Sequence, residues 1–147
     1  MHRPSSMSVH EASHAVVAHA LGLDVLRVVA IGPDPHCELD NGTICTDARD
    51  DAERLSFLRE RLAIVSLAGD IAEGIQLRRG SDYRTAWQLI LDDLPGFFAE
   101  GRMEYLQQRT TELVRRYREA ISRVAAALDV RGSLSGPEFL MLVQAKE

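Results

Sequence analysis

Two histidines four residues apart enclose a glutamate near the start of the chain, in the run His10-Glu11-Ala12-Ser13-His14. On a helix, residues with this spacing are neighbours with Cβ atoms about 5–6 Å apart, so both imidazoles can converge on one zinc ion. Two neutral imidazoles and a third ligand would leave one position for a water molecule, whose pKa zinc lowers towards about 7. Glu11 could accept the proton of this water and return it to a leaving amine. The spacing therefore predicts a zinc hydrolase.

The residues around this motif favour a helix buried in a core. From about Ser8 to Leu21 apolar residues recur at helical spacing, and Gly22 follows as a stop signal. The alternative, two surface histidines on an ordinary helix, is disfavoured because the residues after the motif are mostly small and apolar. His19 lies one residue beyond the next repeat from His14, so we expect it on another face and not as a ligand.

Two carboxylates further along the chain are candidates for the third ligand. Asp82 follows a Gly-Ser turn and shares a helical face with apolar residues, which would turn it inward, but an aspartate at this position is also a common helix N-cap. Glu73 continues an apolar stripe and is expected to face inward. It could be a ligand, the partner of a buried arginine, or, as fits its placement better, a group that orients a ligand imidazole through its free ring N–H.

A small β element is predicted directly after the first helix. The run Val25 to Ile31 is rich in β-branched residues, and a second short run covers Thr43 to Cys45. The segment between them, Pro33 to Asp40, is predicted to be a polar loop in which His36 is exposed to solvent. These runs predict a hairpin or small sheet.

Helical periodicity accounts for most of the remaining chain. The fold class predicted is mainly α (α+β), a helical domain with a small β element after the first helix. The predicted helices cover about Leu55 to Gln76, Asp82 to Leu94 (ended by Pro95 and Gly96), Arg102 to Leu128, and a terminal helix opened by a capping box of Ser135 and Glu138.

Size and composition fit one globular domain covering residues 1–147. The net charge of -5 gives no electrostatic support for a nucleic-acid partner, and no apolar run is long enough for a membrane segment. With no secretory signal near the start, we expect a cytoplasmic protein. Cys37 and Cys45 match no zinc-finger spacing and are expected to be free thiols.

Four segments resemble the FtsH-type peptidases, the zinc protease domains normally fused to an AAA ATPase. Residues 10–17, HEASHAVV, look like the HEAGHAVV signature of that family. Residues 67–73, LAGDIAE, are similar to its LAGRAAE segment, and residues 80–86, GSDYRTA, resemble its GASNDIxxA segment. Residues 132–138, GSLSGPE, look like its ETLxGxEI ending. The resemblance spans nearly the whole chain in matching order.

Carried over to this sequence, the resemblance implies a single FtsH-like peptidase domain in which His10, His14 and Asp82 bind zinc and Glu11 is the catalytic residue. It favours Asp82 over Glu73 as the third ligand and leaves Glu73 to orient an imidazole. Ser13 stands where the family has Gly, a mild change. The chain also lacks the Gly-rich phosphate loop of an ATPase.

The function that the resemblance implies is zinc-dependent endopeptidase activity on flexible or unfolded polypeptides. In the family a β segment offers an edge strand to the extended substrate, and Val25 to Ile31 would be its counterpart. Delivery of substrate by a separate ATPase or adaptor is left open. Two alternatives remain: a regulatory or non-proteolytic zinc-binding module that retains the HExxH site, and a helical interaction protein with a degenerate site.

Overall fold

The computed structural model describes residues 3–40, 52–74, 81–92 and 96–145. Helices dominate this part of the chain, and its three strands form one antiparallel sheet, which confirms the mainly α (α+β) fold. In chain order the elements are α1 (Ser6–Ala20), β1 (Val25–Val29), β2 (His36–Leu39), α2 (Ala52–Glu73), α3 (Ser81–Leu91), α4 (Gly96–Arg116), α5 (Arg118–Arg131), β3 (Ser133–Ser135) and α6 (Gly136–Gln144).

Helix α1 lies at the centre of the fold, where it packs against α2, α5 and the sheet. Its apolar residues are small, and Ala12, Ala15, Val17 and Ala18 are fully buried. Small side chains let neighbouring helix backbones approach closely, so α2 and α5 can enclose α1 from different sides. The helix that carries the HExxH motif is therefore a core element.

The N-terminus of α1 is fixed to the end of α5 by a cluster of hydrogen bonds. Ser5 caps the helix by accepting from the Ser8 N–H. The Asp129 carboxylate accepts from the Ser5 N–H at 2.9 Å, from Ser5 Oγ at 2.8 Å and from Ser8 Oγ at 2.6 Å. His10 lies just over one helical turn after Ser5. These hydrogen bonds therefore also fix the position of the HExxH motif.

The sheet has the strand order β2-β1-β3, with β1 in the centre. The prediction that Val25 to Ile31 offers a free edge is therefore wrong, because β1 pairs with β2 on one side and with β3 on the other. The strand also ends at Val29. Residues 36–39, predicted to be loop, form β2, while the predicted run Thr43 to Cys45 lies outside the described residues.

The helices begin and end near their predicted positions, with two corrections. The predicted single helix from Arg102 to Leu128 begins earlier, at Gly96, and is two helices, α4 and α5, separated at Tyr117 with φ −102° and ψ 19°. Gly96 therefore starts a helix, whereas it was predicted to end one. The predicted ends at Gln76 and Leu94 lie outside the described residues.

The C-terminal helix begins as predicted. Ser135 and Glu138 form the reciprocal capping box that opens α6. Among the helices that the structure describes, none is both long and apolar enough to cross a membrane.

Candidate metal centre

Helix α1 places His10, Glu11 and His14 at one wall of a cavity of about 690 Å³. The two imidazoles meet edge to face, with ring centroids 4.6 Å apart and their Nε2 atoms separated by 3.0 Å. This is the convergence that a four-residue spacing on a helix allows. His19 lies elsewhere, edge-on against Phe139, and so on another face, as expected.

Asp82 contributes a third donor from α3. It is the second residue of that helix, and its carboxylate oxygen Oδ2 lies 2.9 Å from His10 Nε2 and 3.2 Å from His14 Nε2. The structure thus places Asp82 inside the first helical turn with its carboxylate turned towards the histidines, rather than at the N-cap position.

These three donor atoms fit a zinc ion. They form a nearly equilateral triangle with edges of 2.9, 3.0 and 3.2 Å. Zinc bonds of about 2.0–2.2 Å in a tetrahedral site place ligand atoms about 3.3 Å apart or slightly more, so each edge would lengthen by only a few tenths of an ångström. Two imidazoles and one carboxylate are also a donor set that zinc accepts readily.

The outer nitrogen of each imidazole has its own partner on α2. His10 Nδ1 lies 2.9 Å from Glu73 Oε1, and His14 Nδ1 lies 2.6 Å from the Val65 carbonyl oxygen. An imidazole that donates from Nδ1 keeps the lone pair of Nε2 for a metal. Glu73 therefore contacts His10 at the position expected of an orienting group, and among the residues that the structure describes its Oε1 pairs with this imidazole.

Gly69 provides the space in which the His10 ring lies. A Cβ at this position would come within 2.6 Å of His10 Cε1 and 2.7 Å of both ring nitrogens. No side-chain atom can approach so closely. The His10 ring can lie against the α2 backbone because residue 69 has no side chain.

Glu11 is buried beside the imidazoles, with 5% of its surface exposed. One of its carboxylate oxygens lies within 4.8 Å of nitrogens of both His10 and His14. Burial raises the pKa of this carboxyl, and the two histidines oppose the rise. A carboxyl whose pKa is raised towards neutrality is suited to accept and return a proton.

The two histidines and Asp82 also contact one another directly. The hydrogen bond to Asp82 raises the pKa of His10 to about 9, against the opposing effect of burial. Burial favours the protonated form of Asp82, but the hydrogen bonds from His10 and His14 outweigh it and hold the Asp82 pKa well below its usual range. A proton on His10 Nε2 occupies the same lone pair that a metal would need, so protons and metal compete here.

Strand β2 also contributes to the lining of this cavity. His36, Cys37 and Leu39 all line it. The expectation that His36 is exposed is wrong: it is half-buried at the start of β2, and its Nδ1 donates to the Asp34 carbonyl at 2.7 Å. Cys37 is a free thiol, as expected, and burial raises its pKa to about 12, so it stays neutral. Cys45 lies outside the described residues.

Asp70 also lines the cavity, although its sequence context does not single it out. Its Oδ1 lies 3.7 Å from His10 Nδ1, and the residue is 6% exposed. Its position three residues before Glu73 could have indicated it, since residues three apart share a helix face. The Val65 carbonyl, in contrast, is a backbone group that no residue type can signal.

No protein-family model matches the chain, and no curated protein matches it significantly. The likeness to the FtsH-type peptidases therefore rests on the motifs quoted above.

Proposed function

We propose that this chain is a zinc-dependent metalloendopeptidase of the FtsH type, acting on flexible or unfolded polypeptides. The observation that carries the proposal is the triangle of His10 Nε2, His14 Nε2 and Asp82 Oδ2, with edges of 2.9 to 3.2 Å, beside the buried Glu11. These three residues would hold the metal, and Glu73 and the Val65 carbonyl would orient the imidazoles.

Zinc bound by these residues would polarise the scissile carbonyl and make a water molecule more acidic. Glu11 accepts a proton from that water as its oxygen attacks the carbonyl carbon. The carbon–nitrogen bond of the peptide then breaks, and Glu11 returns the proton to the leaving amine nitrogen. The burial that raises the Glu11 pKa stabilises the protonated form that this second transfer requires.

The extended substrate would lie along β2. This strand is at an edge of the described sheet and lines the same cavity as Glu11. Backbone groups at a strand edge can pair with an extended peptide, which gives affinity with little sequence selectivity. A substrate on β2 would bring its backbone alongside the HExxH helix.

The test separates metal binding from hydrolysis. Glu11→Gln should keep the zinc content of the wild-type protein while lowering the cleavage rate of an unstructured protein by about 10²–10⁴-fold, because it removes proton transfer and leaves the ligands intact. Zinc content is measured by elemental analysis of the purified protein, and cleavage by gel.

Loss of zinc in Glu11→Gln would show that the roles are misassigned. Zinc binding by the wild-type protein without cleavage of any unstructured substrate would favour a regulatory zinc-binding module. Failure of the wild-type protein to bind zinc would favour an interaction protein with a degenerate site.

A further inference from the structure

The charge of the cavity is strongly one-sided. Its lining includes four carboxylates, Glu11, Asp70, Glu73 and Asp82, and among the described residues that form the lining there is no lysine or arginine. A cleft with one sign of charge and low-dielectric walls concentrates ligands of the opposite sign.

Asp70 is the one of these carboxylates that the proposed reaction does not use. Its Oδ2 is buried and has no hydrogen-bond partner among the described residues. The other oxygen lies 3.7 Å from His10 Nδ1, beyond hydrogen-bonding distance. A buried carboxylate whose Oδ2 has no partner is costly, because its desolvation is not compensated, so a cation beside the carboxylate would be bound favourably.

Ser66 cannot serve as that partner, although it lies one helical turn before Asp70 and lines the same wall. Its hydroxyl already donates to the Leu62 carbonyl at 2.9 Å. Glu73, one turn after Asp70, contacts His10.

We propose that the α2 wall of the cavity around Asp70 is a subsite for an ammonium group of the substrate. The proposal rests on the proposed function, because it assigns a substrate class to the same cavity: polypeptides that place a positive charge beside the bond to be cleaved. An ammonium group can come from a lysine side chain or from a free amino terminus. Both offer three N–H donors to a carboxylate whose Oδ2 accepts none from the described residues.

The subsite can be tested by binding, without hydrolysis. Three short peptides of otherwise identical neutral sequence carry a fluorophore at the C-terminus: one is N-acetylated, one is N-acetylated with a single central lysine, and one has a free amino terminus. Their affinities are measured by fluorescence anisotropy on zinc-loaded Glu11→Gln protein. At least one charged peptide should bind about 10–100-fold more tightly than the neutral one.

The preference should disappear when Asp70→Asn is added to Glu11→Gln, and should survive the matched control Glu104→Gln, which removes the same charge from an exposed position on α4. Asp70→Ser is a second variant, in case the amide disturbs packing beside His10. The zinc content of each protein is measured in parallel. The charged peptide that binds more tightly shows whether a lysine side chain or a free amino terminus supplies the ammonium group.

Equal affinity for all three peptides would overturn the proposal, as would a preference that persists in both Asp70 variants. It would also be overturned if the wild-type chain binds two zinc ions and Asp70→Asn only one, because the carboxylate would then bind metal. If the preference is found but wild-type protein cleaves none of the peptides and no unstructured protein, the subsite stands and the proteolytic function fails.

Discussion

At the scale of single residues, the site separates the groups that would bind metal from the groups that hold them. His10 and His14 direct Nε2 towards Asp82, and their Nδ1 atoms face the Glu73 carboxylate and the Val65 carbonyl on α2. Each imidazole is thereby fixed in orientation before any metal binds, and its neutral form would carry the proton on Nδ1. This preorganisation predicts different losses of zinc affinity when a ligand is removed and when the hydrogen-bond partner of a ligand is removed.

Asp82→Ala should weaken zinc binding more than Glu73→Ala. The first change removes a donor atom from the triangle, whereas the second removes a partner of His10 and should cost roughly 10–100-fold in affinity. Dissociation constants from competition with a zinc chelator would compare the two variants, with Glu104→Gln as the control for loss of a carboxylate. A larger loss in Glu73→Ala than in Asp82→Ala would make Glu73 the ligand.

The stability of the metal-free protein should fall as the pH rises above neutrality. The folded-state pKa of His10 is raised from 6.5 to about 9, mainly by Asp82. A raised histidine pKa contributes stability that is fully present below pH 6.5 and is lost as the pH passes through 9. Because the Asp82 pKa is lowered, its contribution is present above 3.8 and is lost in acid.

Urea unfolding of metal-free protein at several values between pH 6.5 and 9 would measure this decline. Asp82→Asn should flatten it, since the hydrogen bond that raises the His10 pKa is weakened. A decline that is the same in both proteins would assign it to other groups. In the same pH interval zinc affinity should rise, because fewer protons compete for His10.

At the scale of elements, α2 positions the imidazoles of the site as much as α1, the helix that carries the motif, does. It supplies Glu73 and the Val65 carbonyl, and its Gly69 lets the His10 ring lie against the backbone. The Ser5 and Ser8 bonds to Asp129 fix α1 from the other side of the fold. The imidazoles are thus positioned by two helices whose spacing is set by small residues.

Gly69→Ala should reduce zinc affinity while the helix stays folded. Alanine favours helix, but its Cβ would lie 2.6 Å from His10 Cε1, so the ring must move away from the ligand triangle. We expect a loss of about tenfold or more, comparable to the loss of an orienting partner.

Gly101→Ala is the matched control, because a Cβ there meets nothing within 4 Å. It should leave zinc binding unchanged and raise the free energy of unfolding by about 0.5–1 kcal/mol. The explanation fails if the two variants bind zinc equally well.

The elements that the sequence predicts best are those set by local patterns. The helix around His10 and the capping box of Ser135 follow from side-chain spacing within a few residues. Strand β2 does not follow from local spacing, because its polar residues form a strand only by pairing with β1. The break at Tyr117 has no glycine or proline to signal it. The contact of the Val65 carbonyl with His14 and the burial of Asp70 beside His10 depend on how α2 packs against α1.

At the scale of the whole molecule, the described elements surround one cavity with complementary walls. The HExxH helix supplies Glu11 and the two histidines proposed to bind metal, α3 supplies Asp82, α2 supplies Asp70 and Glu73, and β2 supplies His36, Cys37 and Leu39. Since β1 is paired on both sides, β2 is the strand of the described sheet whose edge can accept a substrate backbone at the site. Under the proposed function, an extended segment would bind at this edge, and this requirement would limit the substrates.

A segment can pair with β2 only when it is released from the hydrogen bonds of its own fold. The 147 residues contain no phosphate-binding loop that could couple ATP hydrolysis to unfolding, so the chain alone should act on regions that are disordered or open at low cost.

We expect a variant of a folded domain that is destabilised by about 2.8 kcal/mol to be cleaved up to about 100-fold faster than its parent, because cleavage follows the population of the open form when opening is fast. ATP should have no effect on either rate. Gel time courses of both substrates with zinc-loaded protein, with Glu11→Gln as the inactive control, provide the measurement, and equal rates for the two substrates would contradict this account.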